Sequence, residues 1–470
     1  MSDRLRVAVA TAGPLEPWQQ RSVERLRRVV EIAEDGAADL AVAFDPALAH
    51  STGARLGALT FRFGEPPSAL PIGWREVRDR EATATCRLVL VTPDADRDVE
   101  LRRAVIQTVA HSVAATAGRL LGCCVPWPAQ LVEDLQRRGM EALRGEPVAE
   151  PPPAPVPGAA ARLAGEASRL AGAARKARMM ASEDRWNIGI VDKPAHAFLE
   201  DPSPIPVRWL PELLPLGYHA DPFPLQRDGR MVLLAEGYDY HDRLGYLAML
   251  DPEAPPGAMA TRLDVPVPGH LSYPWPIERD GRLYVIPESH KARQVVLLRS
   301  EDPFPRRWEI EHVLLDGFAG VDCTPVEHDG RWWLFCADND DQDQAKLYLF
   351  MADRLQGPWA PHPQNPVKID CRSSRPGGRP FAHDGHLYRP TQDCSRVYGG
   401  AIAINRILEL TPHRFVEEVA VRIEPDAKGP YPHGLHHFVP FGDRTVIDGN
   451  RRRFGPATAL RWLRSRLRSR

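Results

Sequence analysis

Acids, histidines and arginines interrupt otherwise apolar, strand-like segments between residues 220 and 440: Asp221, Glu236, His270, Ser272, Glu288, Asp322, Arg375, Arg379, Gln392, Asp393, His433, His436 and His437. Such groups gathered in a folded interior are costly unless they pair with one another or bind something. Two carboxyl groups at a suitable separation perform glycosidic chemistry, one donating a proton and the other acting as base or nucleophile. Arginines add two-pronged recognition of a carboxylate or phosphate. A plainer role for Asp221 and Asp322 is to cap turns. A repeated cap would keep one residue type, whereas the equivalent positions here are polar and different. Aromatic rings stack on sugars. Of the tyrosines and tryptophans near this set, only Tyr238 or Tyr273 is expected on a binding surface, and most of the others in the inter-blade core.

These residues sit on a repeat. Asp221-Pro-Phe-Pro-Leu-Gln-Arg-Asp-Gly-Arg returns as Ser272-Tyr-Pro-Trp-Pro-Ile-Glu-Arg-Asp-Gly-Arg, as Asp322-Cys-Thr-Pro-Val-Glu-His-Asp-Gly-Arg and as Arg379-Pro-Phe-Ala-His-Asp-Gly-His. A fainter fifth copy is His436-His-Phe-Val-Pro-Phe-Gly-Asp. The turn glycines Gly229, Gly281, Gly330, Gly385 and Gly442 are 52, 49, 55 and 57 residues apart. Asp-Gly between apolar runs makes a tight hairpin, because glycine adopts positive φ without a Cβ penalty. A period near fifty is the length of one four-stranded propeller blade. Five copies predict five blades, with the residues before each hairpin converging on one end of the axis. A β-sandwich would also use hairpins but needs no such even spacing. Trp186-Asn-Ile-Gly-Ile-Val191 is a candidate strand to complete the last blade and close the ring.

The remaining chain is organised around that unit. With 470 residues there is material for two domains or more. A net charge of −2 gives no general attraction for nucleic acid, and no apolar run approaches a membrane span. Seven cysteines without Cys-x-x-Cys spacing, and an N-terminus without a secretory pattern, give the expectation of a cytoplasmic protein with reduced thiols. Residues 1–145 read as α/β, with strands at Leu5–Ala10, Asp39–Phe44, Phe61–Phe63, Trp74–Val77 and Cys86–Val91. Helices are expected at Pro17–Glu34, Val99–Leu121 and Trp127–Leu143. The early alternation favours a parallel, Rossmann-like sheet. Residues 146–184 are a Pro-rich linker and an Ala- and Arg-rich helix over Ala159–Ser182, whose basic face is expected to be solvated. The propeller is placed at 185–455. The basic tail at 456–470, with Leu460, Trp462, Leu463 and Leu467, offers a peripheral membrane contact.

Several motifs resemble a known family: Ala220-Asp-Pro-Phe, Tyr273-Pro with Pro287-Glu-Ser, Asp322 with Asp329-Gly-Arg-Trp-Trp-Leu-Phe335, and Arg375-Pro-Gly-Gly-Arg379 with Gln392-Asp-Cys394. Together they resemble the family-43 glycoside hydrolase type, in the version found N-terminal in glucosamine inositolphosphorylceramide transferases. The resemblance spans roughly residues 185–450. It implies a five-bladed β-propeller and matches Asp221 to the general base of the hydrolases. The chain departs from the hydrolases where Ser272-Tyr-Pro replaces a second aspartate and where Asp322 replaces a glutamate acid. Related five-bladed phosphorylases and mannosyltransferases work with fewer carboxylates and with basic phosphate-binding groups, which Arg375, Arg379 and His433 suit. The N-terminal region resembles the Rossmann-like domain of formyltransferases. Those enzymes use Asn, His and Asp with a His-Pro-Ser loop, while His50 and His111 are the only histidines before residue 190 and lie in no such loop. A domain without formyl transfer is expected.

The expected function is glycosyl transfer from a phosphate-bearing sugar donor, with a sugar nucleotide as candidate donor and no cofactor or metal. Asp221 is expected as base or ion stabiliser, and Asp322 or Glu288 as acid or sugar-hydroxyl binder. Arg375 and Arg379 are expected as a phosphate clamp. Gln392, Asp393, His270, Ser272, Tyr273, Glu236, His433 and His436 are expected to line the sugar or sugar-phosphate site. The alternatives are glycoside hydrolysis of the family-43 type and a non-catalytic carbohydrate-binding or scaffold propeller.

Overall fold

The computed structural model describes residues 5–33, 38–64, 71–92, 98–148, 158–204, 206–300 and 307–454. The chain forms two compact units, Met1–Lys176 and Ala177–Arg470. Most of the Pro-rich stretch (149–157) and the basic tail beyond 454 lie outside the described residues.

The second unit is the five-bladed propeller read from the repeats. Blade one runs outward through Gly217–Arg227, Arg230–Asp239, Leu244–Leu250 and Ala260–Arg262. Blade two uses Ser272–Arg279, Arg282–Glu288, Gln294–Ser300 and Trp308–Asp316, and blade three Gly320–His328, Arg331–Asp338, Lys346–Ala352 and Ala360–Pro361. Blade four uses Phe381–His383, His386–Asp393, Ala401–Leu410 and Phe415–Ile423. Blade five is composite. Phe438–Phe441 and Arg444–Phe454 come from the end of the chain, and Ser182–Val191 and Arg208–Trp209 from the start of the unit. Ten paired residues join Arg444–Phe454 to Ser182–Val191, so the expected closing strand does seal the ring. Inter-blade layers of buried aliphatic and aromatic residues, such as Phe223, Tyr273, Trp275 and Leu334, hide the faces that single hairpins leave open.

The first unit carries a six-stranded mixed sheet. Val7–Ala10, Leu40–Ala43 and Ala58–Phe63 pair in parallel, and the later neighbours Thr83–Val91, Asp98–Gln107 and Glu146–Val148 pair antiparallel. Parallel pairing therefore stops at the third strand, and the Rossmann-like reading finds no support in this order. Two local readings are corrected. Trp74–Asp79 is a helix, started by Gly73 at φ 82°, rather than a strand. Asp98–Gln107 is a strand, and the helix begins only at Val113 behind the Ser112 cap, whose Oγ accepts the Ala115 N–H. The apolar run Ala104–Ile106 is buried within that strand, where run length alone does not separate strand from helix. The helices at Pro17 and Trp127 are shorter than read, ending at Leu26 and Arg138.

Candidate active site

Local backbone geometry at the axis starts from one repeated device. The residue eight places before the turn glycine is Asp221 in blade one, Tyr273 in blade two and Asp322 in blade three. All three have left-handed backbones, at φ 51°, 45° and 49°. Each sits where the inner strand shifts register against its neighbour, a β-bulge. Non-glycine residues in this region cost energy and cluster where function demands them. The bulge turns each N–H toward a carboxylate of the preceding blade. The Asp221 N–H donates to Asp448 Oδ2 at 3.4 Å, the Tyr273 N–H to Asp221 Oδ2 at 3.2 Å, and the Asp322 N–H to Glu288 Oε2 at 3.2 Å. A chain of acid-to-backbone bonds thus runs from blade five through blades one and two to blade three.

Five buried carboxyls share this end of the axis: Asp221, Glu236, Glu288, Asp322 and Asp448. Their surroundings separate their affinities for a proton. Burial pushes Asp221 up to about 6, opposed by His436, whose Nε2 is 3.6 Å from Asp221 Oδ1. Burial also raises Glu236 well above the carboxylate range, with the Asp221 charge adding to it. Glu236 meets His270 Nε2 at 3.5 Å, and His270 Nδ1 accepts the Gly245 N–H at 2.8 Å. Gly245 is required there, because a Cβ would stand 2.5 Å from Glu236 Oε1. Burial works upward on Glu288 too, but the hydrogen bond with His290 at 2.7 Å and the charge of Arg375 bring it down to about 2. Burial, joined by Glu288 and Asp221, raises Asp322 well up against the pull of Arg375. For Asp448, burial is outweighed by His436, and its carboxyl is lowered.

Asp448 also organises the histidines. Its Oδ1 accepts the backbone N–H groups of His436 and His437, both at 3.0 Å, and its Oδ2 is 2.6 Å from His436 Nδ1. The His436 ring stacks on Trp186 with centroids 3.8 Å apart. His437 is held low, to about 3, by burial and lies 3.7 Å from Asp221 Oδ1. Asp221, His436 and Asp448 could offer a cation three atoms within 4.8 Å of one another. Both Asp448 oxygens already accept backbone N–H groups, so a cation would have to compete with those donors.

The expected site residues divide. Asp221, Glu236, Glu288, Asp322, Gln392, His270, Ser272 and His436 gather around the axis. Gln392 Nε2 donates to Asp322 Oδ2 at 2.8 Å, and Ser272 pairs with Glu288 across the hairpin. Arg375 arrives as well, but it is already committed. Its Nε donates to Asp322 Oδ2 at 2.6 Å, another of its nitrogens bonds Asp343, and its guanidinium packs 5.0 Å from the Tyr398 ring. Arg379 does not join it on a common partner. Its guanidinium lies 5.5 Å from the Trp275 ring, and its Nε is buried without a hydrogen bond. The paired phosphate clamp is therefore corrected to one counter-ion of buried acids and one arginine packed on an indole.

Tyr273 is wholly buried and is corrected from a stacking surface to a brace. Its hydroxyl meets Thr324 Oγ1 at 2.8 Å and accepts the Gly378 N–H at 3.0 Å. Asp393 is taken by Arg422 and by the Ser395 N–H. His433 is exposed, and its Nδ1 accepts the Arg452 N–H at 3.3 Å. Against burial, His290 and Arg375 bring Glu288 down to about 2, so it stands as an anion at neutral pH, which suits the sugar-hydroxyl binder rather than the acid of the two expected roles. Asp448, Asp343, His290 and Trp186 were missed. Asp448 lies six residues after its turn glycine, next to the seventh position that carries Glu236 and Glu288. That signal was available, but it sat in the faintest copy.

Residues 215–436 match the family described as glucosamine inositolphosphorylceramide transferase 1, N-terminal. Glucosamine inositolphosphorylceramide transferase 1 of Oryza sativa subsp. japonica is 37% identical over 166 residues, covering 34% of this chain and 22% of the rice protein. The Arabidopsis thaliana protein of the same name is 36% identical over 166 residues, covering 34% of this chain and 21% of its own length. The matched region thus spans about a fifth of these relatives. Among solved structures, the GH43_1 enzyme from Xanthomonas citri complexed with xylotriose aligns at TM-score 0.35 and 14% identity, over 51% of this chain and 89% of the other. The catalytic domain of Coprinopsis cinerea GH62 α-L-arabinofuranosidase aligns at TM-score 0.36 and 13% identity, over 47% and 76%. Five blades and the matching region together make the propeller of this chain similar to the N-terminal domain of glucosamine inositolphosphorylceramide transferases.

Proposed function

We propose that the propeller acts on the glycosidic linkage of a glycan or glycolipid, with Asp221 as base and Glu236 as proton donor. The observation that carries this reading is the separation of proton affinities among neighbouring buried carboxyls. Glu288 is held ionised near 2, Asp221 titrates at about 6, and Glu236 is raised well above its ordinary value. Environments that drive adjacent acids apart in this way assign a donor and an acceptor. Asp221 can take a proton at neutral pH, and its carboxylate can stabilise positive charge developing on a sugar. A protonated Glu236 can give a proton to a leaving oxygen. Tyr238 and Tyr218, stacked with centroids 5.0 Å apart and partly exposed, offer ring faces to a sugar nearby.

The relatives' name favours transfer to or from a phosphate-bearing glycolipid over hydrolysis, and a sugar nucleotide is the donor class to try first. Its phosphate would have to be met by groups other than the Arg375 and Arg379 pair. The test is turnover of sugar nucleotides and aryl glycosides by the parent chain and by Asp221→Asn. The reading expects a loss on the order of 10²-fold or more in rate with sugar binding retained. An unchanged rate would remove Asp221 from the chemistry.

A further inference from the structure

The helix Ala159–Met180 presents a second surface whose residues take no part in the axial site. One face is packed on its own unit. Ser168 Oγ donates to the Arg78 carbonyl at 2.8 Å, and Gly165 and Gly172 let the backbone close on Trp74 and Ala110. At about 100° per residue, Leu163 and Leu170 fall within ~20° of each other on the opposite side, flanked by Ala167 and Ala174. Leu163 is 72% and Leu170 60% exposed. Met179 and Met180 are exposed near the end of the same helix but lie about 100° or more around it from the leucines, outside the stripe. Scattered single hydrophobics are ordinary surface, but a stripe on one helix is not.

Charge tells what covers it. The helix holds Arg162, Arg169, Arg175, Lys176 and Arg178 against one acid, Glu166, in a chain of net charge −2. Arg162, Arg169 and Lys176 recur every seven residues along one border of the leucine stripe, and Arg175 lies on the other. Glu166 is engaged by Arg169 at 2.9 Å. A second copy of the chain would bring these cations against themselves. An apolar stripe between basic borders suits the boundary of an anionic bilayer, where leucines enter the acyl region and long cationic side chains reach back to the headgroups.

We propose that this helix docks the protein on an anionic phospholipid surface through Leu163 and Leu170, bordered by Arg162, Arg169, Arg175 and Lys176. The proposal is independent of the carbohydrate reading and stands or falls without it. The experiment is cosedimentation of the full chain with vesicles of phosphatidylcholine alone and of phosphatidylcholine mixed with phosphatidylglycerol. Binding is expected only to the mixed vesicles, weakening as salt is raised. Leu163→Glu with Leu170→Glu should abolish it. Arg162→Gln, Arg169→Gln and Lys176→Gln together should lower it on the order of 100-fold, at roughly fivefold per cation. All five positions are at least partly exposed, so both variants should melt with the parent, and either one alone can decide the outcome. Three results would overturn the proposal. These are no binding to mixed vesicles, equal binding by both variants with loss only when residues beyond 454 are removed, and a self-association of the parent that the leucine variant abolishes while vesicle binding persists.

Discussion

Asp221→Asn should make the protein more stable, and only above acid pH. Burial holds the Asp221 carboxyl near 6, about two units above its ordinary value of 3.8. Each unit corresponds to about 1.4 kcal/mol, so ionising it in the fold opposes folding by up to ~3 kcal/mol. The sign follows from proton counts. Between about pH 4 and pH 6 the native state holds the proton more tightly than the unfolded chain, so stability falls as pH rises through this window. Asparagine removes the charge, keeps the shape and tolerates the left-handed φ of 51°. The attraction to His436 is already contained in that net shift, so the expected gain at pH 8 is up to ~3 kcal/mol. At ~2–4 °C per kcal/mol for a unit of this scale, the melting temperature should rise by several degrees at pH 8 and little at pH 4. Calorimetry or urea denaturation of both proteins from pH 4 to 8 reads it directly. A variant less stable than the parent at pH 8, or a difference equal at both ends, would refute the reasoning.

Other consequences concern the supports of the site. Arg389, fully buried, bonds Glu417 at 2.6 Å and the Ser373 and Ser374 carbonyls that precede Arg375. Arg389→Met should cost ~3–5 kcal/mol in urea denaturation, and adding Glu417→Leu should not recover it, because Lys368, 2.7 Å from Glu417, then loses its buried counter-ion. Gly378 has φ 130°, and a Cβ there would stand 1.9 Å from the Phe438 carbonyl oxygen, so Gly378→Ala should cost more than about 2 kcal/mol. Arg375→Ala strands Asp322 and Asp343 and should lower the melting temperature without changing affinity for inorganic phosphate, whereas a true phosphate clamp would lose that affinity. All seven cysteines are buried and unpaired, so a thiol reagent should find about seven groups after denaturation without reductant and few before it.

The repeat made the propeller legible because a hairpin turn constrains sequence tightly. A glycine at a fixed place in each blade, preceded by Asp in four of the five, marks backbone that glycine adopts at low cost, and the closing strand followed from the same pattern. Position on the repeat was enough to bring Asp221, Glu236 and Glu288 to one end of the axis. Their partners were harder to read, because Asp448 sits in the faintest copy and Asp343 and Trp186 reach the axis from segments off the repeat. The arginines misled for a related reason: Arg375 and Arg379 are four residues apart, yet Gly377 and Gly378 turn the chain between them. In the first unit, the apolar run Ala104–Ile106 fits a helix as well as a buried strand, and pairing with Thr83–Val91 decides it.

The most direct measurement is the pH profile of kcat/KM for any sugar substrate the protein turns over, in the parent, Asp221→Asn and Glu236→Gln. If Asp221 is the base and Glu236 the donor, the parent rate rises through about pH 6 and falls at higher pH, when Glu236 loses its proton. Asp221→Asn should lose the rising limb and most of the rate, and Glu236→Gln the falling limb. A parent rate flat through pH 6, or an Asp221→Asn profile that keeps the parental shape and height, would contradict the assignment of chemistry to these two carboxyls.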